Sequence, residues 1–395
     1  MNTLNIVTPL TLLFILFFSS STASTTVYNV VELGAKSDGK TDSTNAFIEA
    51  WTSACNSVGS ATIIVPHGQF LVKNVIFDGK DCRNSDITIS MEGATLVAPS
   101  DYNVMRKSEN WIRFGKVKGV SIQGGTLDGR GTSLWDCKLA DGKHCPDGTR
   151  SLKFSNCEDV KIEGLTSINS QKFHIVIYDS HNVKMHGVTI RASSDSPNTD
   201  GIHVESSTDV TINRADIGTG DDCISIGPGT KNLWMENIIC GPGHGISIGS
   251  LGKRFNEQGV QNVTVKTATF TGTQSGVRIK TWAKPCNGFV KDVLFQDLMM
   301  NQVKNPILID QHYCPHNKGC PTQVSGVKIS QVTYSGIRGT SATQVAVKFD
   351  CSSKKPCSGI IMENVNLIYQ NRPAQSSCSS IDGSAYGVIR PLSCL

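Results

Sequence analysis

The chain has 395 residues, a formal net charge of +4 and 18% charged residues, a composition typical of a globular protein. Its lysines and arginines are dispersed rather than clustered, which argues against a nucleic-acid-binding protein. The mild positive balance is compatible with a polyanionic partner.

The N-terminus carries an apolar run from Leu12 to Phe18, followed by serine, threonine and alanine as far as Ala23. An apolar segment of this length with small residues after it is typical of a secretory signal peptide, so we predict that residues 1–23 are removed. A membrane anchor is the alternative, but the run is too short to span a bilayer comfortably. Residues 24–395 contain no linker or low-complexity tract, which predicts a single domain.

One segment, from Ser43 to Cys55, has the features of a good α-helix. It opens with Thr41, Asp42 and Ser43, which are residue types favoured at the N-termini of helices. We predict this helix alone among many strands and expect it to cap the start of the fold.

Most of the remaining chain repeats a short pattern in which Asn, Asp or Gly precedes an alternating apolar run. From Val160 onward the pattern recurs at intervals of 23, 27, 23, 30, 30, 34 and 33 residues. A β-sandwich does not require such regular spacing, whereas a solenoid does, because every coil must return to stack on the previous one. We therefore predict an all-β fold, a single-stranded right-handed parallel β-helix, with the region of Cys378 and Cys394 covering its C-terminal end.

The cysteines and one sequon agree with a secreted chain. Fourteen cysteines favour an oxidising compartment, and a zinc site is a weak alternative because no paired C-x-x-C motif occurs. Spacing suggests local disulfides with Cys157 and Cys286 left over, although it does not determine connectivity. Asn262 begins an N-x-T sequon and is a candidate glycosylation site. The suggested pairs are Cys55/Cys82, Cys137/Cys145, Cys223/Cys240, Cys314/Cys320, Cys351/Cys357 and Cys378/Cys394.

A second pattern places an acid or a histidine two residues before an isoleucine that opens a short alternating run. The residues are Asp200, Asp222 and His244, and the two steps between them are equal in length. If one step is one coil, the three side chains stack on one outer face about 4.8 Å apart, with Asp221 beside them. Clustered carboxylates suit hydrolysis of a glycosidic bond, which needs a proton donor and a base or nucleophile.

The same strand in later coils carries Arg278, Lys280 and, further along the chain, Tyr313. Their apolar neighbours alternate with them, so we predict that both cations lie on the face that bears the acids. Three clustered carboxylates do not all ionise easily, so one should keep its proton to higher pH while the cations hold the others charged. The cations also suit a substrate with carboxylates of its own. Each motif alone is commonly structural, and it is their shared register that indicates a site.

In these motifs the chain resembles the polygalacturonases of glycoside hydrolase family 28, in their plant form. The matching segments are Ser196–His203, Gly218–Cys223, Cys240–Ser250 and Arg278–Lys280. The resemblance implies a parallel β-helix and an inverting hydrolase that cleaves α-1,4 galacturonosidic bonds of homogalacturonan, without a metal or another cofactor.

Roles for individual residues are implied by the resemblance alone. Asp221 would be the general acid that protonates the leaving oxygen, and His244 would maintain the protonation of that acid. Asp200 and Asp222 would orient and deprotonate the attacking water. Inverting enzymes commonly separate acid and base by roughly 6.5–9.5 Å, and the sequence does not reveal the side-chain directions that decide this gap. The residues implied to bind a galacturonate unit are Arg278, Lys280, Asn198 and Tyr313.

Three alternatives stay open at this point. A pectate lyase shares the β-helix but uses calcium and an arginine base, a rhamnogalacturonan hydrolase is a closer rival, and a wall protein that only binds pectin is the third. The leading prediction is a secreted, monomeric polygalacturonase of the plant cell wall. It would act on polyanionic pectin, with no nucleic acid partner and, once the signal is removed, no membrane. Endo and exo action are both compatible with the sequence.

Overall fold

The computed structural model describes residues 25–140, 144–315 and 318–395. The predicted signal peptide, residues 1–23, lies outside the described residues. Within the described ranges the chain forms 33 β-strands and two α-helices, and neither helix is long and apolar enough to cross a membrane. The helices are α1 (Thr44–Asn56) and α2 (Thr132–Ala140).

The strands of the first half of the chain are β1 (Thr26–Asn29), β2 (Asp38–Asp42), β3 (Ala61–Ile64), β4 (Gly68–Leu71), β5 (Val75–Asp78), β6 (Ile87–Ser90), β7 (Ala94–Val97), β8 (Asn110–Gly115), β9 (Lys118–Gln123), β10 (Thr126–Asp128), β11 (Arg150–Ser155), β12 (Glu158–Glu163), β13 (Thr166–Ile168), β14 (Ile175–Tyr178), β15 (His181–His186) and β16 (Thr189–Arg191). Those of the second half are β17 (Ile202–Glu205), β18 (Thr208–Asn213), β19 (Asp216–Gly218), β20 (Ile224–Ile226), β21 (Lys231–Cys240), β22 (Ile246–Leu251), β23 (Val260–Thr271), β24 (Ser275–Trp282), β25 (Phe289–Val303), β26 (Asn305–Tyr313), β27 (Lys328–Ser335), β28 (Arg338–Ser341), β29 (Val345–Asp350), β30 (Cys357–Tyr369), β31 (Arg372–Pro373), β32 (Gln375–Ser379) and β33 (Ile381–Arg390).

The strands stack into three parallel ladders, so that each coil contributes one strand to each ladder. One ladder is an eleven-stranded sheet that runs from β5 to β32. The other two belong to a 22-stranded sheet, because β21, β23 and β25 are long enough to continue both of them. This arrangement is the predicted right-handed parallel β-helix, which is confirmed. The eleven-stranded sheet contains, in order, β5, β8, β11, β14, β17, β20, β22, β24, β26, β29 and β32.

The core is built from apolar side chains that stack at the same position in successive coils. Ile202 pairs with Ile224, which pairs with Ile246, and the row continues through Val277 to Ile307. All five are buried. The residues that alternate with them along each strand point outward. Alternation along each strand therefore separates an interior of aliphatic side chains from an outer face that is free to carry chemistry.

The Asn, Asp or Gly that opens the repeated pattern has a definite backbone role. Asp159, Asn182, Asp209 and Asn232 adopt φ values of 51° to 56°, in the left-handed region that these residue types tolerate best. Their side chains bond between coils, as when Asn182 Nδ2 donates to Asp159 Oδ1 at 2.6 Å. The repeat recognised in the sequence is therefore a repeated corner of the backbone.

Helix α1 confirms the predicted helix to within one residue at each end. Its first backbone N–H, that of Thr44, donates to Asp42 Oδ1 at 3.0 Å, and Ser43 makes no cap bond with its side chain. Trp51 of this helix packs against Phe77 and Phe114 in the first coils. The helix thus covers the start of the apolar interior.

Helix α2 corrects the prediction of a single helix. The segment Thr132–Ala140 mixes apolar and polar residues without a clear helical period, so its pattern gave no helical signal. It is held by tertiary contacts instead, since Leu134 and Trp135 are buried and Trp135 Nε1 donates to the carbonyl of Ser170 at 3.1 Å.

All six suggested disulfides are present. They join Cys55 to Cys82, Cys137 to Cys145, Cys223 to Cys240, Cys314 to Cys320, Cys351 to Cys357 and Cys378 to Cys394. Cys157 and Cys286 are free and buried, as expected.

Candidate active site

A groove of about 480 Å³ lies on the outer face of the eleven-stranded sheet. It contains most of the residues that the sequence singled out, together with cations and acids that it did not. The lining residues are Arg150, Lys172, Phe173, Asn198, Asp200, His203, Glu205, Asp221, Asp222, Ser225, Gly227, Pro228, Gly249, Ser250, Lys253, Arg254, Glu257, Lys280 and Tyr313.

The turns that present the acids and the histidine require glycine because neighbouring coils approach closely. Gly245 has φ +91°, and a Cβ added there would lie 2.0 Å from the carbonyl oxygen of Ser275. A Cβ on Gly220 would lie 2.1 Å from the carbonyl oxygen of Ser196. Any side chain at these positions would push the coils apart and disturb the register of the site.

Asp221 and His244 form a hydrogen-bonded pair at the surface of the groove. His244 Nδ1 lies 2.9 Å from Asp221 Oδ1, and the backbone N–H of His244 donates to the Asp221 carbonyl at 2.7 Å. The backbone N–H of Asp222 also donates to Asp221 Oδ1, at 2.8 Å. The Asp221 side chain is 23% exposed, so it remains accessible to a ligand.

Asp222 is buried and lies between two cations. Lys280 Nζ contacts its Oδ2 at 2.7 Å and Arg278 contacts its Oδ1 at 2.9 Å. Ser247 donates to the same Oδ1 at 2.8 Å. Burial opposes ionisation, but Lys280 and Arg278 outweigh it and hold the pKa of Asp222 well below its usual range. Both cations do lie on the acid-bearing face, as predicted, but they are buried against a protein carboxylate.

Asp200 is the carboxyl group that keeps its proton to higher pH. Burial raises its pKa well above the usual value, and the charges of Asp221 and Asp222 raise it further. Asn198 contributes only a long contact of 3.4 Å from Nδ2 to Oδ1. The resemblance gives the acid role to Asp221, whereas the carboxyl group whose pKa is raised by burial is that of Asp200.

Tyr313 lies at the end of the groove beside one of the cations. Lys280 Nζ lies 5.3 Å from the centre of the Tyr313 ring, and the Trp282 ring meets it edge-on at 5.5 Å. Tyr313 pairs with Trp282 across β24 and β26. The eight predicted site residues are therefore gathered on one face of the sheet, on five consecutive strands and the turns that precede them.

Among the lining residues that were given no role from the sequence are three on neighbouring strands, His203 and Glu205 on β17 and Ser225 on β20. Their signal was the alternation itself: each follows a buried isoleucine or valine by one position, so each had to point outward beside the acids.

Three side chains of the site could offer ligands to a cation. Asp221, Asp222 and His244 each offer one atom, and these three atoms lie within 4.8 Å of one another. Asp222 already binds two cationic side chains, whose charges repel a metal ion. The residues present therefore suit a metal poorly.

Residues 55–394 match the family model of Glycosyl hydrolases family 28. A polygalacturonase of Prunus persica is 58% identical over 386 residues, covering 98% of this chain and 98% of that protein. An exopolygalacturonase of Platanus acerifolia is 41% identical and covers 91% and 95% respectively. Among solved structures, the polygalacturonase of Erwinia carotovora has a TM-score of 0.72 at 26% identity, covering 87% of this chain and 94% of that one.

The fold and the site together define a parallel β-helix protein with an acidic cluster and buried cations in an open groove. The chain belongs to glycosyl hydrolase family 28, which confirms the resemblance drawn from its motifs.

Proposed function

We propose that this protein is a polygalacturonase that hydrolyses α-1,4 galacturonosidic bonds of homogalacturonan. The observation that carries the proposal is a groove lined by three aspartates and Lys280, in which His244 contacts Asp221 and Arg278 contacts Asp222. The polygalacturonases found among its relatives support the substrate class.

Asp221 acts as the general acid. It is the most accessible of the three aspartates, and His244 and the backbone N–H of Asp222 fix its carboxyl group in place. A group that must deliver a proton to the leaving oxygen has to reach the substrate, and the buried aspartates are less able to do so.

Asp200 acts as the stronger base of the pair that handles the attacking water. A carboxylate with a raised pKa binds a proton more tightly, whereas Asp222 is a weak base because two cations stabilise its charge. Atoms of Asp221 and Asp222 also lie within 4.8 Å of each other, less than the gap of roughly 6.5–9.5 Å usual between acid and base in inverting enzymes. Asp222 orients the water, and the product leaves with inverted anomeric configuration.

Arg278 and Lys280 bind the carboxylate of the sugar whose bond is cleaved, with Asn198 and Tyr313 beside them. Their charge-assisted hydrogen bonds would be shared between that carboxylate and Asp222. A substrate that carries one carboxylate per sugar unit matches this pair of cations better than a neutral polysaccharide does.

The proposal also covers the processing and the location of the protein. Residues 1–23 serve as a secretory signal, and residues 24–395 form one domain that works as a monomer in the plant cell wall. Asn262, the candidate glycosylation site, is exposed, and its Nδ2 donates to Asn232 Oδ1 at 2.8 Å. The six disulfides suit that oxidising location.

Replacing Asp221 by Asn tests the function. We expect kcat on polygalacturonate to fall by at least about 10²-fold, measured as new reducing ends, because the proton donor is lost. Binding of polygalacturonate, measured by calorimetry, should be retained. Asp209→Asn makes the same change on the other sheet and should leave both quantities unaltered. Retained turnover in Asp221→Asn would refute the assignment.

A second assay separates the hydrolase from a pectate lyase. A lyase leaves an unsaturated ring that absorbs in the ultraviolet and loses activity with a calcium chelator. We expect no such absorbance and full activity in chelator. Chelator-sensitive absorbance would overturn the hydrolase, and binding of pectin without any cleavage would favour the non-catalytic alternative.

A further inference from the structure

The outer face that carries the groove continues towards the start of the chain, where it bears further cations. Arg113 on β8 and Lys153 on β11 are direct neighbours in the eleven-stranded sheet, and they belong to the row that leads through His203 to Arg278. Arg150, also on β11, lines the groove itself. The groove therefore leads to three cationic side chains, Arg113, Arg150 and Lys153, which we call the Arg113 cluster.

Two members of the cluster have no acidic partner. Arg150 Nη1 lies 3.2 Å from Glu109 Oε2, whereas no ion pair of Arg113 or Lys153 is found in the part of the chain that the structure describes. Arg113 Nε is buried and also lacks a hydrogen-bond partner there. Lys153 Nζ lies 4.7 Å from the centre of the Tyr178 ring, and its pKa is lowered by burial and further by the charges of Arg150 and Arg113. A bound anion would offset this repulsion between like charges.

A pocket of about 280 Å³ beside the cluster offers hydrogen-bonding groups of both kinds. Arg113 lines it as a donor, and Asn110 Oδ1 is an acceptor that is buried without a partner among the described residues. A sugar acid has a carboxylate, which accepts from arginine, and hydroxyls, which donate to an amide oxygen. The pocket therefore matches one uronic acid unit. Its lining residues are Asn74, Ile76, Ser108, Glu109, Asn110 and Arg113.

Beyond the active site, the opposite end of the same face bears acids instead. Asp310 follows Lys280 in its row of the sheet, and Asp350 follows Asp310. Burial raises the pKa of Asp310, and the charge of Asp350 raises it further. Lys348 lies 3.7 Å from Asp350 and offsets only one of the two charges. A polyanion that leaves the groove is therefore drawn towards the Arg113 cluster rather than towards this end.

The distance between the cluster and the active site determines the kind of ligand that reaches both. Arg113 and Arg278 are separated by six steps between neighbouring strands, or about 29 Å at about 4.8 Å a step. A single sugar acid does not span this distance. A polyuronide that lies along the axis of the solenoid does, and it carries a carboxylate on every unit.

We propose that Arg113 and Lys153, with Asn110 beside them, form a second carboxylate-binding site, which holds a galacturonate unit remote from the bond that is cleaved. The inference rests on the function proposed above and places further units of the same homogalacturonan chain on this face. Only a chain long enough to reach the cluster gains this contact. The site should therefore lower KM for long substrates without changing kcat, because it does not touch the reacting bond.

Defined oligogalacturonates test the second site. In Arg113→Gln/Lys153→Gln we expect KM for decagalacturonate to rise by about tenfold with kcat unchanged, because two partly exposed ionic contacts are lost. KM for tetragalacturonate, which is too short to reach from the active site to the cluster, should not change. An unchanged KM for the decamer, or equal rises for the two oligomers, would overturn the proposal.

Two further variants separate charge at this place from packing and from net charge. Arg113→Lys/Lys153→Arg keeps both charges, so its KM for decagalacturonate should stay closer to that of the wild type, and a loss as large as in the glutamine variant would contradict recognition by charge. Lys161→Gln/Lys184→Gln is the matched control, because these lysines pair in the same way across β12 and β15 of the 22-stranded sheet. It should leave both KM values unaltered, and a rise for the decamer there would show that net charge acts instead of a site.

Calorimetric titration with decagalacturonate measures the second site without catalysis. We expect Arg113→Gln/Lys153→Gln to bind the decamer about tenfold more weakly than the wild type. If the wild type cleaved no oligomer but showed this difference in binding, the proposed function would be refuted and the second site would stand. Cleavage of both oligomers with equal decamer affinity in the two proteins would have the reverse meaning.

Discussion

The three aspartates differ because each has a different set of partners, although they lie within one repeat of one another. Asp222 has two cations, Asp221 has a histidine and the edge of the groove, and Asp200 has mainly burial and negative neighbours. Burial and neighbouring charges raise the pKa of Asp200, whereas the two cations lower the pKa of Asp222, and acid–base chemistry on one bond requires such a difference.

The buried ion pairs of Asp222 make this residue important for the stability of the fold. Asp222→Asn would leave Arg278 and Lys280 buried without a counter-charge, and we expect the free energy of unfolding to fall by about 3–5 kcal/mol. A denaturant titration measures this loss in the free energy of unfolding. Asp221→Asn, the same change one residue earlier in a partly exposed position, should cost much less. Equal losses in the two variants would show that the cations do not depend on Asp222.

Asp200 should behave in the opposite way. Because its pKa is raised on folding, its stability contribution is fully present below the unfolded pKa and is lost as the pH rises through the folded pKa. Asp200→Asn should therefore unfold at a higher temperature than the wild type near neutral pH, with the difference shrinking towards acidic pH. Its kcat should fall by at least about 10²-fold. A stability gain that did not depend on pH would contradict the assigned cause.

At the scale of residues, the sequence predicts which side chains share one face of the sheet, but not which of them form hydrogen bonds or ion pairs with each other. The equal steps along the chain and the alternation of apolar positions place the acids, His244, Arg278 and Lys280 on one face. The direction in which the two cations turn, towards Asp222, follows from side-chain packing that no spacing reveals. The same is true of His203, which lies inside a recognised motif but whose contacts with Ser225 and Glu205 no spacing reveals.

At the scale of elements, the corner residues of the repeat decide how each coil turns. Asn232 adopts φ +54° and bonds both Asp209 and Asn262 through its side chain. Asn232→Val should cost at least about 1–2 kcal/mol, because a left-handed conformation is strained for a β-branched residue. Asn232→Gly loses the same side-chain bonds but relieves that strain, so it should cost less than Asn232→Val. Equal stabilities of the two variants in a denaturant titration would show that the left-handed backbone conformation contributes nothing to the difference.

Helix α2 was not predicted because its segment shows neither the repeated strand pattern nor the usual signals of a helix. Helix α1 has capping residues and a regular apolar face, so its limits were readable to within one residue. Helix α2 has neither, and it exists because Leu134 and Trp135 find partners in the neighbouring coil. The disulfides were suggested correctly because most close short local loops, which spacing alone makes visible.

At the scale of the molecule, the groove occupies an off-centre position in the solenoid. The site residues extend over five strands of the eleven-stranded sheet, from β17 to β26, with four strands before them and two, β29 and β32, after them. The regular return of the pattern along the chain predicts this order, because the place of a motif in the sequence is also its place along the axis.

Each coil contacts only its immediate neighbours, so melting can advance as a front from either tip of the rod. The front that starts at the carboxyl-terminal tip has the shorter distance to travel before it reaches Tyr313. We expect amide hydrogen exchange in β29 to β33 to quicken on warming before that in β8 to β14, and heat inactivation to follow the former. The durability of the enzyme would then depend on its last two coils, where reinforcement would be most effective.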